Sequence, residues 1–144
     1  MDLGLKSDDI IFLDTAPVIY FFEQHPDYFQ ALKTLYDHLY ETGAQAITSI
    51  ITYIELTTHP ARLGKRQLVR KYRDYLTNSD NISLFPLDID IADYVVDMRA
   101  KYDFKTPDAI QLGTAVACGA DYIITNDKAW QKLEEVKVLL IRDL

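Results

Sequence analysis

Short apolar runs alternate along the chain with longer stretches in which apolar residues recur every three or four positions. Ile10-Ile11-Phe12-Leu13 is a run of β-formers that stops at Asp14 and predicts a buried strand. Thr15 is placed to cap a helix through Val18, Ile19, Phe21 and Phe22, which His25-Pro26-Asp27 breaks. A second helix is expected over residues 27–40, with Phe29, Leu32, Leu35, Tyr36 and Leu39 on one face and Gly43 past its end. Ala46-Ile47-Thr48 predicts a short strand. Ser49 or Thr52 then opens a helix holding Ile50, Ile51, Tyr53, Ile54 and Leu56, expected to end before Pro60.

Residues 62–77 carry a further helical pattern, and Ile82 to Phe85 a third strand halted by Pro86. Asp88 or Asp90 opens a helix carrying Ile91, Tyr94, Val95 and Met98. Thr106-Pro107-Asp108 has the form of a helix start: a hydroxyl cap, proline at the first helical position and an acid in the first turn. That helix is expected to stop at Gly119. Asp121 to Thr125 predicts a fourth strand, Asp127 to Leu133 a short helix, and Val136 to Ile141 a last strand. No repeat or linker interrupts the series. Alternating β and α segments with apolar strands predict one α/β domain over residues 1–144: a three-layer α/β/α sandwich with a mainly parallel central sheet.

Composition narrows the setting. Apolar residues make up 49% of the chain, enough for one continuous core. No apolar run reaches the roughly 20 residues of a membrane-spanning helix. The N-terminal stretch MDLGLKSDD has acids where a signal peptide has a basic end and an apolar run. The single cysteine, Cys118, excludes an internal disulfide and reads as buried and inert. The chain reads as cytoplasmic. Fifteen basic residues against 22 acidic ones leave a net charge of −7, which argues against a generic nucleic-acid binder held by bulk electrostatics. Any such role must rest on a local basic surface and on metal ions.

Four acids stand out by position. In an open parallel α/β sheet, sites form beyond the C-terminal strand ends. Asp14 directly follows the first strand and Asp127 comes two residues after Thr125. Asp108 lies in the first turn of a helix, and Glu55 interrupts the apolar run Ile50 to Leu56. Each has a plainer explanation alone: Asp14 and Asp127 as turn or cap residues, Asp108 as complement to a helix dipole, Glu55 as part of a solvated face. Together they fall at one end of the sheet. Clustered carboxylates repel and raise each other's pKa, and a hard cation relieves that repulsion. His25, His38 and His59 show no metal-ligand spacing, so the oxygen-only donor set points to Mg²⁺ or Mn²⁺ and away from zinc. Such a site can activate water for phosphodiester cleavage.

Three stretches, FLDTAPVIYFFE, TSIITYIELTTHP and KTPDAIQLGTAVACGADYIITND, resemble the PIN domain family, especially the VapC-type toxin ribonucleases. The resemblance covers nearly the whole chain and implies a PIN-like fold. Asp14 matches the family's first-strand aspartate, Glu55 the glutamate of the helix after strand two, Asp108 the acid of the "DA" helix start and Asp127 the acid of the "TND" turn. It implies that these four bind Mg²⁺ or Mn²⁺ and support RNA hydrolysis. Thr125 and Asn126 match neighbours that orient the site, and Thr15 a hydroxyl beside the first aspartate. Ala16 departs from the small polar residue many relatives carry, a change in support that leaves the ligands in place. The resemblance further implies an endoribonuclease, commonly dimeric, silenced by a small antitoxin. The first helices, Val18 to Leu39, are the candidate dimer surface.

Arg62, Lys65, Arg66, Arg70, Lys71 and Arg73 hold six of the 15 basic residues within one short stretch. On a continuous helix, Arg62, Arg66, Arg70 and Arg73 share one face beside the apolar stripe Leu68, Val69, Tyr72 and Leu76, so a phosphate-contacting surface stands level with an ordinary solvated face. Tyr53 and Trp130 read as packing residues. Other readings remain open. A phosphoacceptor receiver-like domain shares length and sheet class, but Asp8-Asp9 precedes the first strand where that site needs an acidic pair after it. A solitary PIN nuclease in RNA processing or decay, or a PIN-fold module that binds without cleaving, shares the resemblance too.

Overall fold

The computed structural model describes residues 4–144; Met1, Asp2 and Leu3 of the N-terminal stretch read above lie outside it. The elements, in chain order, are β1 (Ile10–Leu13), α1 (Thr15–Phe22), α2 (Phe29–Thr42), β2 (Gln45–Ser49), α3 (Ile50–Arg62) and α4 (Arg66–Asn78). They continue with β3 (Ile82–Phe85), α5 (Ile89–Lys101), α6 (Thr106–Ala117), β4 (Tyr122–Thr125) and β5 (Lys137–Leu140). A 3-10 helix, Lys128–Lys132, follows β4, and a second, Ile141–Asp143, follows β5.

Every pairing in the five-stranded sheet is parallel, in the order β3-β2-β1-β4-β5. Successive side chains of a strand point to opposite faces, and the core divides accordingly. Ile11, Leu13, Ala46 and Ile124 pack on one side with Val18 of α1, Leu32 and Leu35 of α2, and Leu76 of α4. Phe12, Ile47 and Ile123 pack on the other with Val95 of α5 and Leu112 of α6. This is the expected three-layer α/β/α sandwich.

The helices α5 and α6 meet closely at Gly113. A Cβ built there would lie 2.8 Å from Cγ2 of Val95 and 2.9 Å from its backbone nitrogen. A side chain at 113 would therefore press on main chain, which cannot rotate out of the way.

The chain order reverses between β1 and β4. From β1 the sheet grows outward through β2 and β3, and on the other side through β4 and β5. The loops leaving β1 and β4 part at this point and leave a crevice between them, where ligands bind in such sheets.

Several local expectations are corrected. Asp14 is the cap of α1, its carboxylate accepting from the Thr15 backbone nitrogen at 2.7 Å, and Thr15 is the first helical residue. Thr106 does not cap α6: Lys105 holds that position without a side-chain bond, and the Thr106 hydroxyl accepts from Arg99 Nη1 at 2.9 Å. The segment 127–133 forms a 3-10 helix.

Pro60 lies inside α3, buried, in its last turn. Proline removes a donor but its fixed φ suits a helix, and the next residues end this one anyway. The end has a definite cause. Gly64 adopts φ +70°, its N–H donating to Ala61 O at 3.1 Å while the Lys65 N–H donates to Pro60 O at 2.9 Å. This paired closure around a left-handed glycine stops a helix. The helix expected over 62–77 therefore begins only at Arg66, and Arg62 ends α3, apart from Arg66, Arg70 and Arg73 on α4.

Candidate active site

Asp14 is the most firmly held of the four acids. Its backbone N–H donates to Ile124 O at 3.0 Å and extends the β1–β4 ladder by one residue. Its carboxylate closes three further bonds: Oδ1 accepts from Thr15 N at 2.7 Å and Gln111 Nε2 at 3.1 Å, and Oδ2 accepts from Thr125 Oγ1 at 2.7 Å. Burial pushes its pKa from the ordinary 3.8 up to about 6; the Thr125 and Thr15 bonds pull against that, and the Glu55 and Asp108 carboxylates add to it.

Behind Asp14 lies a polar network whose proton directions follow from chemistry. The Thr48 hydroxyl is 2.7 Å from the Leu13 carbonyl, which can only accept, so Thr48 donates there. Its 2.7 Å contact with Thr52 then requires Thr52 to donate to Thr48. Thr52 oxygen is left to accept from Gln111 Nε2 at 3.0 Å. The Gln111 Oε1 accepts from the Ser49 hydroxyl, which fixes the amide with its NH₂ toward Asp14. Thr15 Oγ1 donates to Glu55 Oε1 at 2.8 Å. Sequence reasoning missed Gln111. The available signal was an amide one turn after Asp108 on the same helix face, inside the largely apolar run Ala109 to Ala117.

The second half of the site is looser. Asp108 is half-buried in the first turn of α6; burial raises its pKa, and the Asp127 and Glu55 carboxylates raise it further. Asp127 is exposed and caps the 3-10 helix, its Oδ1 accepting from Ala129 N at 2.9 Å. Thr125 bridges the halves: its hydroxyl donates to Asp14 and accepts from the Asp127 backbone nitrogen at 3.1 Å. Asn126 Oδ1 and Trp130 Nε1 are buried and meet no hydrogen-bond partner. The indole still lies near enough to Asp108 to draw its pKa down, without forming a hydrogen bond to it.

The fold thus links the four acids electrostatically through Asp108: Asp14 with Glu55 and Asp108, and Asp108 with Glu55 and Asp127. It does not close them into a cage: among the described residues, no three Asp, Glu, His or Cys side chains stand close enough to enclose a metal ion. The donor set nonetheless fits a hard divalent cation, being all carboxylate with no thiolate or imidazole, and like charges so gathered need a counter-charge.

Of the basic residues, Lys105 acts on Asp108 and pulls its pKa down. Arg62, Arg66, Arg70 and Arg73 are exposed, and Arg73 Nη1 stands 3.5 Å from the Tyr53 hydroxyl, two residues before Glu55. A groove of about 170 Å³ opens beside Glu55 between α1 and the α3–α4 hairpin, with Ile19, Leu56, Leu68 and Tyr72 in its lining and Glu23 and His59 alongside. Among the described residues, no helix is long and apolar enough to cross a membrane.

Comparison with known proteins agrees with this fold. The solved VapBC complex of Salmonella typhimurium bound to DNA aligns with a TM-score of 0.73 at 15% identity, covering 92% of this chain and 98% of that one. A toxin-antitoxin complex from Klebsiella pneumoniae aligns at 0.69 and 24% identity, covering 93% and 99%. VapC20 of Mycobacterium tuberculosis, described as a toxin that cleaves the sarcin-ricin loop, aligns at 0.64 and 15%, covering 88% and 98%. At these identities the likeness concerns the fold. No curated protein sequence matches the chain at the same stringency. The PIN domain family matches residues 11–136, nearly the whole chain, and its fold is the one seen in VapC-type toxins. The chain belongs to the PIN domain family.

Proposed function

We propose that the protein is a divalent-metal-dependent endoribonuclease and the toxin of a toxin–antitoxin pair. The observation that carries this reading is the convergence of Asp14, Glu55, Asp108 and Asp127 on the crevice between β1 and β4, with Asp14 fixed by three hydrogen bonds. These four would hold Mg²⁺ or Mn²⁺, which when bound supplies an activated water and charge stabilisation for phosphodiester hydrolysis. In this chain Asp14 is the fixed anchor, Thr125 and Gln111 hold its oxygens in place, and Thr15 directs Glu55 toward the same crevice. Asn126 offers an unpaired buried oxygen beside Asp127.

Arg66, Arg70 and Arg73 on α4 would follow the RNA backbone, with Arg62 at the hairpin end. The partner is a small antitoxin: the structural relatives include VapBC and other toxin–antitoxin complexes. The groove beside Glu55, with apolar residues in its lining and Glu23, Glu55, His59 and Lys65 at its polar positions, suits an amphipathic segment of such a partner. A homodimer through the first helices and a cytoplasmic setting belong to the same reading.

One observation favours a second reading, a PIN-fold module that binds RNA or protein without cleaving: the carboxylates do not stand closed around a cation position. Cleavage of an RNA panel with Mg²⁺, with Mn²⁺ and with chelator separates the two. Cleavage restored by metal and lost in both Asp14→Asn and Asp108→Asn supports the nuclease. Undetectable cleavage with retained RNA binding supports the module, and metal-independent cleavage overturns both readings.

A further inference from the structure

Trp130 is the only tryptophan of the chain and is 1% exposed. It packs among Ala109, Leu112 and Leu133, in the apolar cluster beneath the first turns of α6. Its indole N–H is buried and meets no acceptor. A buried donor left unpaired costs about 1–3 kcal/mol, and a phenylalanine would fill most of the same space without that cost. The chain instead places a donor there, beside one carboxylate, Asp108. The 3-10 helix that carries it starts on Asp127, and the Trp130 backbone N–H donates to Asp127 O at 3.2 Å. One short element therefore presents an acid of the site and a buried donor that acts on another acid of the site.

We infer that Trp130 is a positioning residue: its indole N–H is the outer-sphere partner of Asp108, closing on one carboxylate oxygen so that the other turns into the crevice toward Asp14 and Asp127. The inference rests on the reading of the four acids as a metal site. Outer partners of this kind fix the orientation of a ligand, and their removal typically weakens metal binding about 10–100-fold. Asp14 has Thr125 and Gln111 for this purpose, whereas among the described residues no side chain is seen to donate to Asp108, and the Trp130 indole is the buried donor that acts on it, with Lys105 acting more weakly.

Because the tryptophan is unique, its indole N–H gives a single resonance, read in a ¹⁵N-labelled sample of the whole chain. Titration with Mg²⁺ should move that proton downfield as the bond to Asp108 forms. Calorimetry on Trp130→Phe, with circular dichroism confirming the fold, should show Mg²⁺ affinity about tenfold weaker than in the native chain. Equal Mg²⁺ affinity in a folded Trp130→Phe overturns the inference, as does an unmoved indole proton while the native chain takes up Mg²⁺. Should the variant not fold, the indole shift in the native chain decides alone. No uptake of Mg²⁺ by the native chain is a different result: it removes the metal reading itself, and this inference with it.

Discussion

The two halves of the carboxylate edge are built differently. Around Asp14 both carboxylate oxygens are engaged, and the hydroxyls and amide behind it form one connected set running from Leu13 O through Thr48 and Thr52 to Gln111 and Ser49. Around Asp108 and Asp127 the carboxylates are more open, and two buried polar atoms, Asn126 Oδ1 and Trp130 Nε1, lack partners. The first half belongs to the fold, because Asp14 is at once the end of the central strand, the cap of α1 and the hub of the network. The second half hangs on a helix start and a 3-10 helix. A site of this design has one anchor that folding sets and several ligands left to adjust.

The largest effect is expected at the anchor. Asp14→Asn should reduce RNA cleavage by about 10³-fold or more, since losing a ligand exceeds the 10–100-fold typical of an outer partner. The same change should stabilise the chelated protein at neutral pH. A carboxyl whose folded pKa of about 6 lies above the ordinary 3.8 favours folding below pH 4, and that contribution is lost as pH rises through 6. The two-unit shift corresponds to about 3 kcal/mol. Urea melts at pH 4 and pH 7.5 in chelator should show native stability falling between them by an amount the variant lacks. A variant as unstable as the native chain at pH 7.5 would break the idea that burial strains the anchor.

Thr125→Val tests whether the halves are joined. It removes the donor to Asp14 Oδ2 and the acceptor for the Asp127 N–H, and valine keeps the volume. Cleavage should fall about 10–100-fold, with stability lower by about 1.5–3 kcal/mol for a lost bond to a buried charge. Removing a hydrogen bond to the charged form also raises the Asp14 pKa, so the acid limb of the rate profile should move to higher pH. A profile that keeps its shape would confine Thr125 to the Asp127 side.

What could be read from sequence divides along the same line. Most strands were legible as apolar runs closed by a polar residue or a proline, and Asp14 was legible as a strand-end acid. The position of the break between α3 and α4 was not: Pro60 marks it too early, since the amphipathic pattern continues on both sides of Gly64 and only that residue's left-handed φ shows where the chain turns. Gln111 was hidden for another reason. A single amide among apolar residues looks like noise until Asp14 and Ser49, 97 and 62 residues away in sequence, arrive beside it. Trp130 read as packing, and it does pack; its unpaired N–H is visible only in three dimensions.

A paired experiment sharpens the contrast in stability alone. Gln111→Met in the held half should cost about 1–3 kcal/mol with or without metal, because Ser49 and Thr52 lose partners inside the core. Asn126→Ala in the open half should stay within about 0.5 kcal/mol in chelator, because the lost oxygen had no partner. Equal costs at the two positions would mean that the halves do not differ as drawn.

The smallest effect concerns what neither half supplies, a grip on the RNA backbone. In a chain of net charge −7, four clustered acids repel phosphates, so binding must be carried by a surface set apart from them. α4 offers one: Arg66, Arg70 and Arg73 are exposed while Tyr72 and Leu76 of the same helix are buried. Replacing Arg66 and Arg70 by Gln in an Asp14→Asn background, where RNA survives, should weaken binding several-fold. The slope of log affinity against log salt should become shallower by about 1.4, two phosphate contacts at 0.7 each for single strands. Arg62→Gln should change that slope by less, because Gly64 turns the chain between Arg62 and the α4 face. If Arg62 matters as much as Arg66 and Arg70 together, RNA follows the hairpin tip and crosses from α3 to α4; if none of them matters, the backbone is held on the far side of the crevice.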